Sequence, residues 1–325
     1  MSKIRVLITD GLAKEGIDIL RASGNFEIEL RKATTPEELA GIIGDYDSIV
    51  IRSATTLTPD LIKKATNMKL IVRAGAGVDN IDVPTATAKK IPVMNTASAN
   101  SLAAAEQTIA LLFSVMRHIP QSAALLKSGK WDRGDAFKGY EVTGKTMAVL
   151  GLGNIGRIVA EKAIGLGMKV VGYDPMIKSM SQVQGKLAKM DDSFTLVTTV
   201  DEAVSMANVV TVHVPKNKDT TNLINADRIS KMKDKGFVLN CSRGGIVNEE
   251  AVIAAIESGK LAGAAFDVFE KEPPAFPNPL FIHPKIVCAA HLGASTFEAQ
   301  ERVALTAAAQ MVSFFGKGDR TGVIN

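Results

Sequence analysis

Cysteine is nearly missing from this chain: Cys241 and Cys288 are the only two among 325 residues. Both lie in apolar, strand-like runs, so they read as buried, reduced thiols rather than a disulfide framework, and a cytoplasmic compartment is expected. Aromatic side chains amount to 5%, with a single tryptophan at Trp131, and only four histidines are available for proton transfer near neutral pH. No apolar run reaches the ~18 residues of a membrane span. Residues Met1–Asp10 have neither a sustained apolar segment nor a small-residue cleavage pattern, so neither export nor membrane insertion is expected. Charge of one sign is not in excess either. A formal net charge of +4 is too small to argue for a nucleic-acid partner, although it suits anionic small ligands wherever arginines gather. Repeats at solenoid periods and low-complexity tails are absent too. What remains is an ordinary globular composition, 46% hydrophobic and 22% charged. At roughly 150 residues per domain, the length suggests two domains, each large enough for its own core.

The most informative stretch is Thr146–Asp174. Met147–Leu150 has the length of a buried strand, the run Gly151-Leu-Gly153-Asn-Ile-Gly156 breaks it, and a helical pattern begins at Arg157. Gly151 allows a tight turn, Gly153 lets backbone N–H groups approach a pyrophosphate, and Gly156 lets the helix pack on the strand. The helix N-terminus then offers unpaired donors to the phosphates. A second strand, Lys169–Tyr173, ends in Asp174, 18 residues past Gly156, where an acid would meet the ribose hydroxyls of NAD and disfavour NADP. A lone glycine triplet is a weak signal; strand, helix, second strand and acid together specify a dinucleotide site. The motif normally opens its domain, yet about 145 residues precede it here. Another domain must come first.

Short apolar runs at Ile4–Ile8, Phe26–Leu30, Ser48–Ile51, Lys69–Val72 and Pro92–Met94 alternate with helical patterns at Leu12–Ser23, Pro36–Gly44, Pro59–Asn67 and Pro84–Lys89. That alternation predicts a parallel, doubly wound sheet, whose ligands sit outside the carboxyl ends of its strands. Two of these strands end in arginine, at Arg52 and Arg73, the second followed by the glycine-rich Ala74–Gly77, which could present N–H groups to an anion. One long helix is expected from Ser98 to Ile119, closed by Pro120, as the bridge into the second domain. Beyond Asp174, strands near Thr195–Thr198, Val209–Val214, Gly236–Asn240, Ala262–Phe266 and Lys285–Ala289 would complete a six-stranded dinucleotide-binding sheet. A last helical run, Ser295–Phe315, would cross back to the first domain. The expectation is therefore an α/β protein of two doubly wound parallel-sheet domains. A Rossmann cofactor domain, 99–289, is inserted into a flavodoxin-like substrate domain made of 1–98 and 290–325.

Three polar residues follow strands of the second sheet: Arg243, Glu272 and His291. Oxidising a secondary alcohol needs a base near neutral pH, which histidine provides, and a carboxylate beside it fixes the ring. An arginine can hold a substrate carboxylate by two hydrogen bonds. Read singly, each has a plainer account: His291 as a structural histidine, Arg243 with Glu272 as a surface ion pair. His118, His213 and His283 are expected to be structural. No metal site is expected.

These stretches, with Arg52–Thr55, Arg73–Asp82, Gly129–Arg133, Asn240–Val247, Asp267–Pro273 and His291–Thr296, resemble the D-isomer-specific 2-hydroxyacid dehydrogenases over nearly the whole chain, and within them the branch acting on 3-phosphoglycerate. The resemblance implies a catalytic set of Arg243, Glu272 and His291, with His291 transferring the proton. It implies NAD contacts from Ala76, Gly151, Gly153, Asn154, Ile155, Gly156, Asp174, Val214, Pro215, Cys241, Ser242, Asp267, His291, Gly293 and Ala294. Substrate contacts would come from Arg52, Ser53, Arg73, Ala74, Gly75 and Arg243, and from a neighbouring subunit's Arg133 in a homo-oligomer, either a dimer or a dimer of dimers. The chain departs from the family pattern at Asn154, where arginine is usual, at Val214–Asn217, and at Ser242, where alanine is usual. With the sequence ending at Asn325, the serine-binding regulatory domain of longer members is not expected. Two rivals are a dehydrogenase of an unphosphorylated acid such as glyoxylate or hydroxypyruvate, and a non-catalytic NAD-sensing protein like the carboxy-terminal binding corepressors. Arg52 and Arg73 would be poorly used in the first, and an intact phosphate site speaks against the second.

Overall fold

A computed structural model describes residues 3–32, 34–183, 185–189 and 192–325. The chain divides into two compact units, Met1–Asn100 with Ala294–Asn325, and Ser101–Gly293. Residues 290–293, expected in the first domain, thus belong to the second unit.

Among the described residues the first unit holds five parallel strands, β1 (Ile4–Ile8), β2 (Phe26–Leu30), β3 (Ser48–Ile51), β4 (Leu70–Arg73) and β5 (Val93–Asn95), in the order β2-β1-β3-β4-β5. Successive side chains point to opposite faces, and both faces are covered, so these strands read as continuous apolar runs rather than alternating ones. Leu7, Ile49, Ile51 and Ile71 pack on one side, and Val6, Ile8, Val50 and Val72 on the other. Each such side chain contributes about 1.5–3 kcal/mol on burial. Helices start where a threonine or aspartate accepts a backbone N–H ahead of a proline: Thr35 before Pro36–Ile42, Thr58 before Pro59–Lys64, Asp82 before Val83–Ala88. The last helix, Phe297–Lys317, packs on Lys14–Ala22 closely enough that a Cβ on Gly16 would press against Ala304.

Among the described residues the second unit holds seven parallel strands, one for each segment read as a strand there, which makes the sheet one strand wider than the six-stranded sheet expected: β6 (Thr146–Leu150), β7 (Lys169–Tyr173), β8 (Phe194–Leu196), β9 (Val209–Val212), β10 (Gly236–Asn240), β11 (Leu261–Phe266) and β12 (Ile286–Cys288). Their order is β12-β11-β10-β9-β6-β7-β8, with the short β12 adding the seventh strand at the edge by pairing with β11. The helix expected over 98–119 is present as Ser101–Met116, and a second helix that was not expected, Ile119–Lys127, follows it. His118 adopts a left-handed φ of 53° between them. Pro120 opens the second helix instead of closing the first, because a first-turn residue has no N–H bond to lose.

Strand order reverses between β1 and β3 in the first sheet and between β6 and β9 in the second. Outside the carboxyl ends at such points, the helices diverge and leave a crevice for a ligand.

Candidate active site

The turn after β6 is built from absences of Cβ. Gly151 has φ +95° and donates its N–H to the Tyr173 carbonyl at 2.7 Å. A Cβ there would run into the His213 carbonyl, and one on Gly156 would run into the carbonyl of Gly151 itself. At Gly153 a Cβ would meet nothing within 4 Å. Two glycines therefore bring backbone against backbone, and the third faces open space at the start of helix Asn154–Gly165, whose first N–H groups lack partners within the helix. Asp174 is fixed beside this turn, accepting the Leu152 N–H at 2.9 Å through one oxygen and the Met176 N–H at 2.9 Å through the other. The cradle, its N–H groups and the carboxylate fit a dinucleotide. Asn154 takes the place of a cation, yet Arg157, one helical turn on, reaches back to Asn154 Oδ1 at 3.1 Å and to the Gly153 carbonyl at 3.3 Å. Sequence reading passed over Arg157; its i+3 spacing from Asn154 was the available signal.

The loops after β9, β10 and β11 are tied to one another. Ser242 donates to the Val214 carbonyl at 2.6 Å and so joins two of the loops. Buried Asn240 accepts the Ser242 N–H at 3.1 Å and donates to the Arg243 carbonyl at 2.9 Å, which sets the curve of the loop carrying Arg243. The Arg243 guanidinium donates to the Ser242 carbonyl at 2.7 Å. Cys241 and Cys288 are free thiols, each pushed up to about 12 by burial, so neither is a nucleophile at neutral pH.

His291 Nδ1 and Glu272 Oε2 lie 2.6 Å apart, and Glu272 Oε1 accepts the Phe269 N–H at 3.0 Å. Burial alone would raise the Glu272 carboxyl. The His291 hydrogen bond, the Phe269 N–H and the charges of His291 and Arg243 together hold it below the usual carboxylate range. An ionised Glu272 accepts a hydrogen bond from the Nδ1–H of a neutral ring, leaving Nε2 with a lone pair to accept a proton from a substrate. The ring sits on a strained segment, φ +54° at His291, held by Asp267. The Asp267 carbonyl accepts the His291 N–H at 2.8 Å, and its two carboxylate oxygens accept those of Leu292 at 2.8 Å and Gly293 at 2.7 Å. The other histidines are engaged in the scaffold. His213 Nε2 is 3.0 Å from Thr211 Oγ1, and burial brings its pKa down to about 3; His283 accepts the Lys285 N–H; His118 meets Phe137 edge-on.

In the first unit, Arg52 follows Ile51, which pairs with Arg73 on the neighbouring strand. Asp10 pins the Arg52–Thr55 loop, accepting from the N–H groups of Arg52 at 2.7 Å and Thr55 at 3.0 Å and from the Thr55 hydroxyl at 2.6 Å. Asn80 closes the loop from the other side through the carbonyls of Arg52 and Thr55. Neither Asp10 nor Asn80 was singled out from sequence. Arg73 folds over Gly75, where any Cβ would collide with its guanidinium, and donates to the Ala74 carbonyl at 3.1 Å. Ala74 is buried and Ser53 exposed, while the Ala76 carbonyl accepts from Asn95. Arg133 and Trp131, the latter 80% exposed, lie in the loop after Ile119–Lys127. Pro215 is exposed, Ile155 half-buried, and Ala294 begins the returning segment of the first unit.

The sequence model described as "D-isomer specific 2-hydroxyacid dehydrogenase, NAD binding domain" matches residues 109–293. The chain belongs to the D-isomer specific 2-hydroxyacid dehydrogenases. As in that family, its second unit is an NAD-binding domain. The chain is 42% identical over 309 residues to the D-3-phosphoglycerate dehydrogenase of Methanocaldococcus jannaschii, covering 95% of this chain and 57% of that protein. It is 40% identical over 321 residues to the human D-3-phosphoglycerate dehydrogenase, covering 99% and 58%. The chain thus spans little more than half the length of these curated relatives. Among solved structures, it is similar to a Thermus thermophilus protein, with TM-score 0.88, 28% identity and coverage of 99% and 100%. It is also similar to an NAD+-bound 3-phosphoglycerate dehydrogenase of Entamoeba histolytica, with TM-score 0.81, 26% identity and coverage of 100% and 99%.

Proposed function

We propose that the protein oxidises D-3-phosphoglycerate to 3-phosphohydroxypyruvate with NAD, the first step of the phosphorylated route to serine. The observation that carries this reading is the 2.6 Å His291–Glu272 pair, an acid/base unit of the kind a hydroxy-acid oxidation requires. His291 Nε2 takes the proton of the substrate's C2 hydroxyl, and Glu272 stabilises the imidazolium that forms. Arg243 holds the carboxylate and polarises the C2 oxygen in the reverse direction. Bound NAD supplies the two-electron acceptor. The phosphate is assigned to Arg52 and Arg73, whose strand ends are neighbours, and to a second subunit's Arg133. This reading includes a cytoplasmic homo-oligomer, a dimer or dimer of dimers, in contact through the exposed Trp131–Arg133 loop; a monomer in light scattering at assay concentration would contradict that part.

The test compares NADH formation from 3-phosphoglycerate and from unphosphorylated D-hydroxy acids, with wild type and His291→Ala. The phosphorylated acid is expected to be strongly preferred. His291→Ala is expected to lose ~10²–10⁴ in kcat while still binding NAD. Equal use of unphosphorylated acids would reduce the assignment to the family reaction, and NAD binding with no turnover of any acid would overturn it.

A further inference from the structure

Glu249 opens helix Glu249–Glu257 just after its capping residue Asn248, where an exposed carboxylate would suffice to complement the helix dipole. Its neighbour Glu250 is such a residue. Glu249 instead turns away from its own helix and accepts the Glu270 N–H at 2.8 Å. The position is an uncomfortable one for an acid: burial and the charge of Glu270 push its carboxyl up, opposed by that N–H and by Lys216.

Glu270 stands two residues before Glu272, on the loop leaving β11. The loop is gripped at three consecutive places. Phe269 N–H is bound by Glu272 itself. Glu270 N–H is bound by Glu249. The carbonyl of Phe269 lies directly against Gly244, where a Cβ could not be placed, so the strip bearing Arg243 packs backbone to backbone on this loop.

We propose that Glu249 is a positioning residue that acts through Glu272 to hold the His291 ring in its Nδ1–H form. It touches neither substrate nor cofactor. By fixing residue 270, it fixes where the Glu272 carboxylate meets the ring, and through the Gly244 contact it keeps Arg243 in register with that pair. The kinetic part of this inference rests on the proposed function; the state of the ring does not.

The experiment uses the full chain with Glu249→Ala, Glu249→Gln and Glu250→Ala, reading kcat, the dissociation constant of NAD by fluorescence, and the ¹⁵N signals of the His291 ring without substrate at alkaline pH. In Glu249→Ala, kcat is expected to fall roughly tenfold, as for one lost hydrogen bond to a charged group, with NAD binding within about twofold of wild type. The ring signals should move toward the Nε2–H tautomer that a free imidazole prefers. Glu249→Gln keeps an oxygen facing Glu270 and should restore both, and Glu250→Ala should match wild type. An unchanged ring in Glu249→Ala, equal losses in the alanine and glutamine variants, or a like effect of Glu250→Ala would each overturn the inference. If wild type turned over no hydroxy acid, the proposed function would fall, and this inference would stand or fall on the ring signals alone.

Discussion

Two glycine-rich turns, one in each unit, follow an interior strand of the sheet and look alike in sequence: Arg73-Ala-Gly75-Ala-Gly77 after β4, and Gly151-Leu-Gly153-Asn-Ile-Gly156 after β6. They use the missing Cβ differently. After β6, Gly151 and Gly156 clear the way for carbonyl groups, so that strand, turn and helix close on one another. After β4, Gly75 clears the way for a side chain, the guanidinium of Arg73. A crowded backbone has no alternative position, whereas a crowded arginine can swing away. The turn after β6 therefore defines a fold element that a ligand meets, and the turn after β4 defines the aim of one charged group.

That difference orders the consequences of adding a methyl group. Gly156→Ala should be the most damaging, because the Gly151 carbonyl cannot yield; overpacking typically costs about 1–3 kcal/mol, and a clash with backbone falls at the upper end of that range. Urea unfolding should show the loss, and fluorescence titration should show NAD binding abolished. Survival of both would mean that the two turns are equally pliable. Gly75→Ala should displace Arg73 and, at φ +151°, also strain the local backbone by about 1–3 kcal/mol, so it should behave like Arg73→Ala with a moderate added loss of stability. Both are expected to lower kcat/KM for the phosphorylated acid by roughly 10- to 100-fold, since a charge-assisted bond to phosphate is worth ~1.5–3 kcal/mol. A small unphosphorylated acid should be nearly unaffected; equal losses on both substrates would assign Arg73 to the scaffold or to the hydroxy-acid end.

Asp174→Ala tests the acid beside the turn after β6. NAD should be preferred over NADP by about tenfold or more in wild type, or about 1.4 kcal/mol, and by less in the variant, measured as kcat/KM for each cofactor. At neutral pH the smallest effect concerns His213, whose carbonyl abuts Gly151. Its folded-state pKa of about 3 lies below the ordinary value of 6.5, so the unfolded chain binds the extra proton. Its contribution is complete above about pH 6.5 and is lost as the pH falls toward 3, with a slope of at most about 1.4 kcal/mol per pH unit. Urea midpoints of wild type and His213→Gln between pH 7 and 4.5 should therefore diverge as acid is added, wild type weakening faster. Parallel curves would show that the His213 ring takes up its proton as readily when folded.

The glycine turn, Asp174 and the strand-end arginines were legible because each is a local signal, confined to a strand and the turn after it. The same holds for the parallel alternation of strand and helix. The helix break at His118 was not, since Pro120 marks a stop as readily as a start. The supports of the site lay beyond local reading: Asp10 beneath Arg52, Asn80 across the same loop, Glu249 beneath Glu270, Asp267 beneath His291. Each joins residues 21 to 42 positions apart, and nothing in one segment shows which distant segment supports it. Ser242 carried the same lesson. Its small polar side chain gives no local sign of a distant partner, yet its hydroxyl donates to the Val214 carbonyl 28 residues away.

The left-handed backbone of His291 is unfavourable by about 1–3 kcal/mol. It persists because the amides of three successive residues, His291, Leu292 and Gly293, all end on the single residue Asp267, which is 1% exposed. Such a segment cannot fray one bond at a time; releasing any of the three removes the geometry that holds the others. In hydrogen exchange these amides should open together, with one shared protection factor, and the ring should be either fully presented or lost with the whole strip.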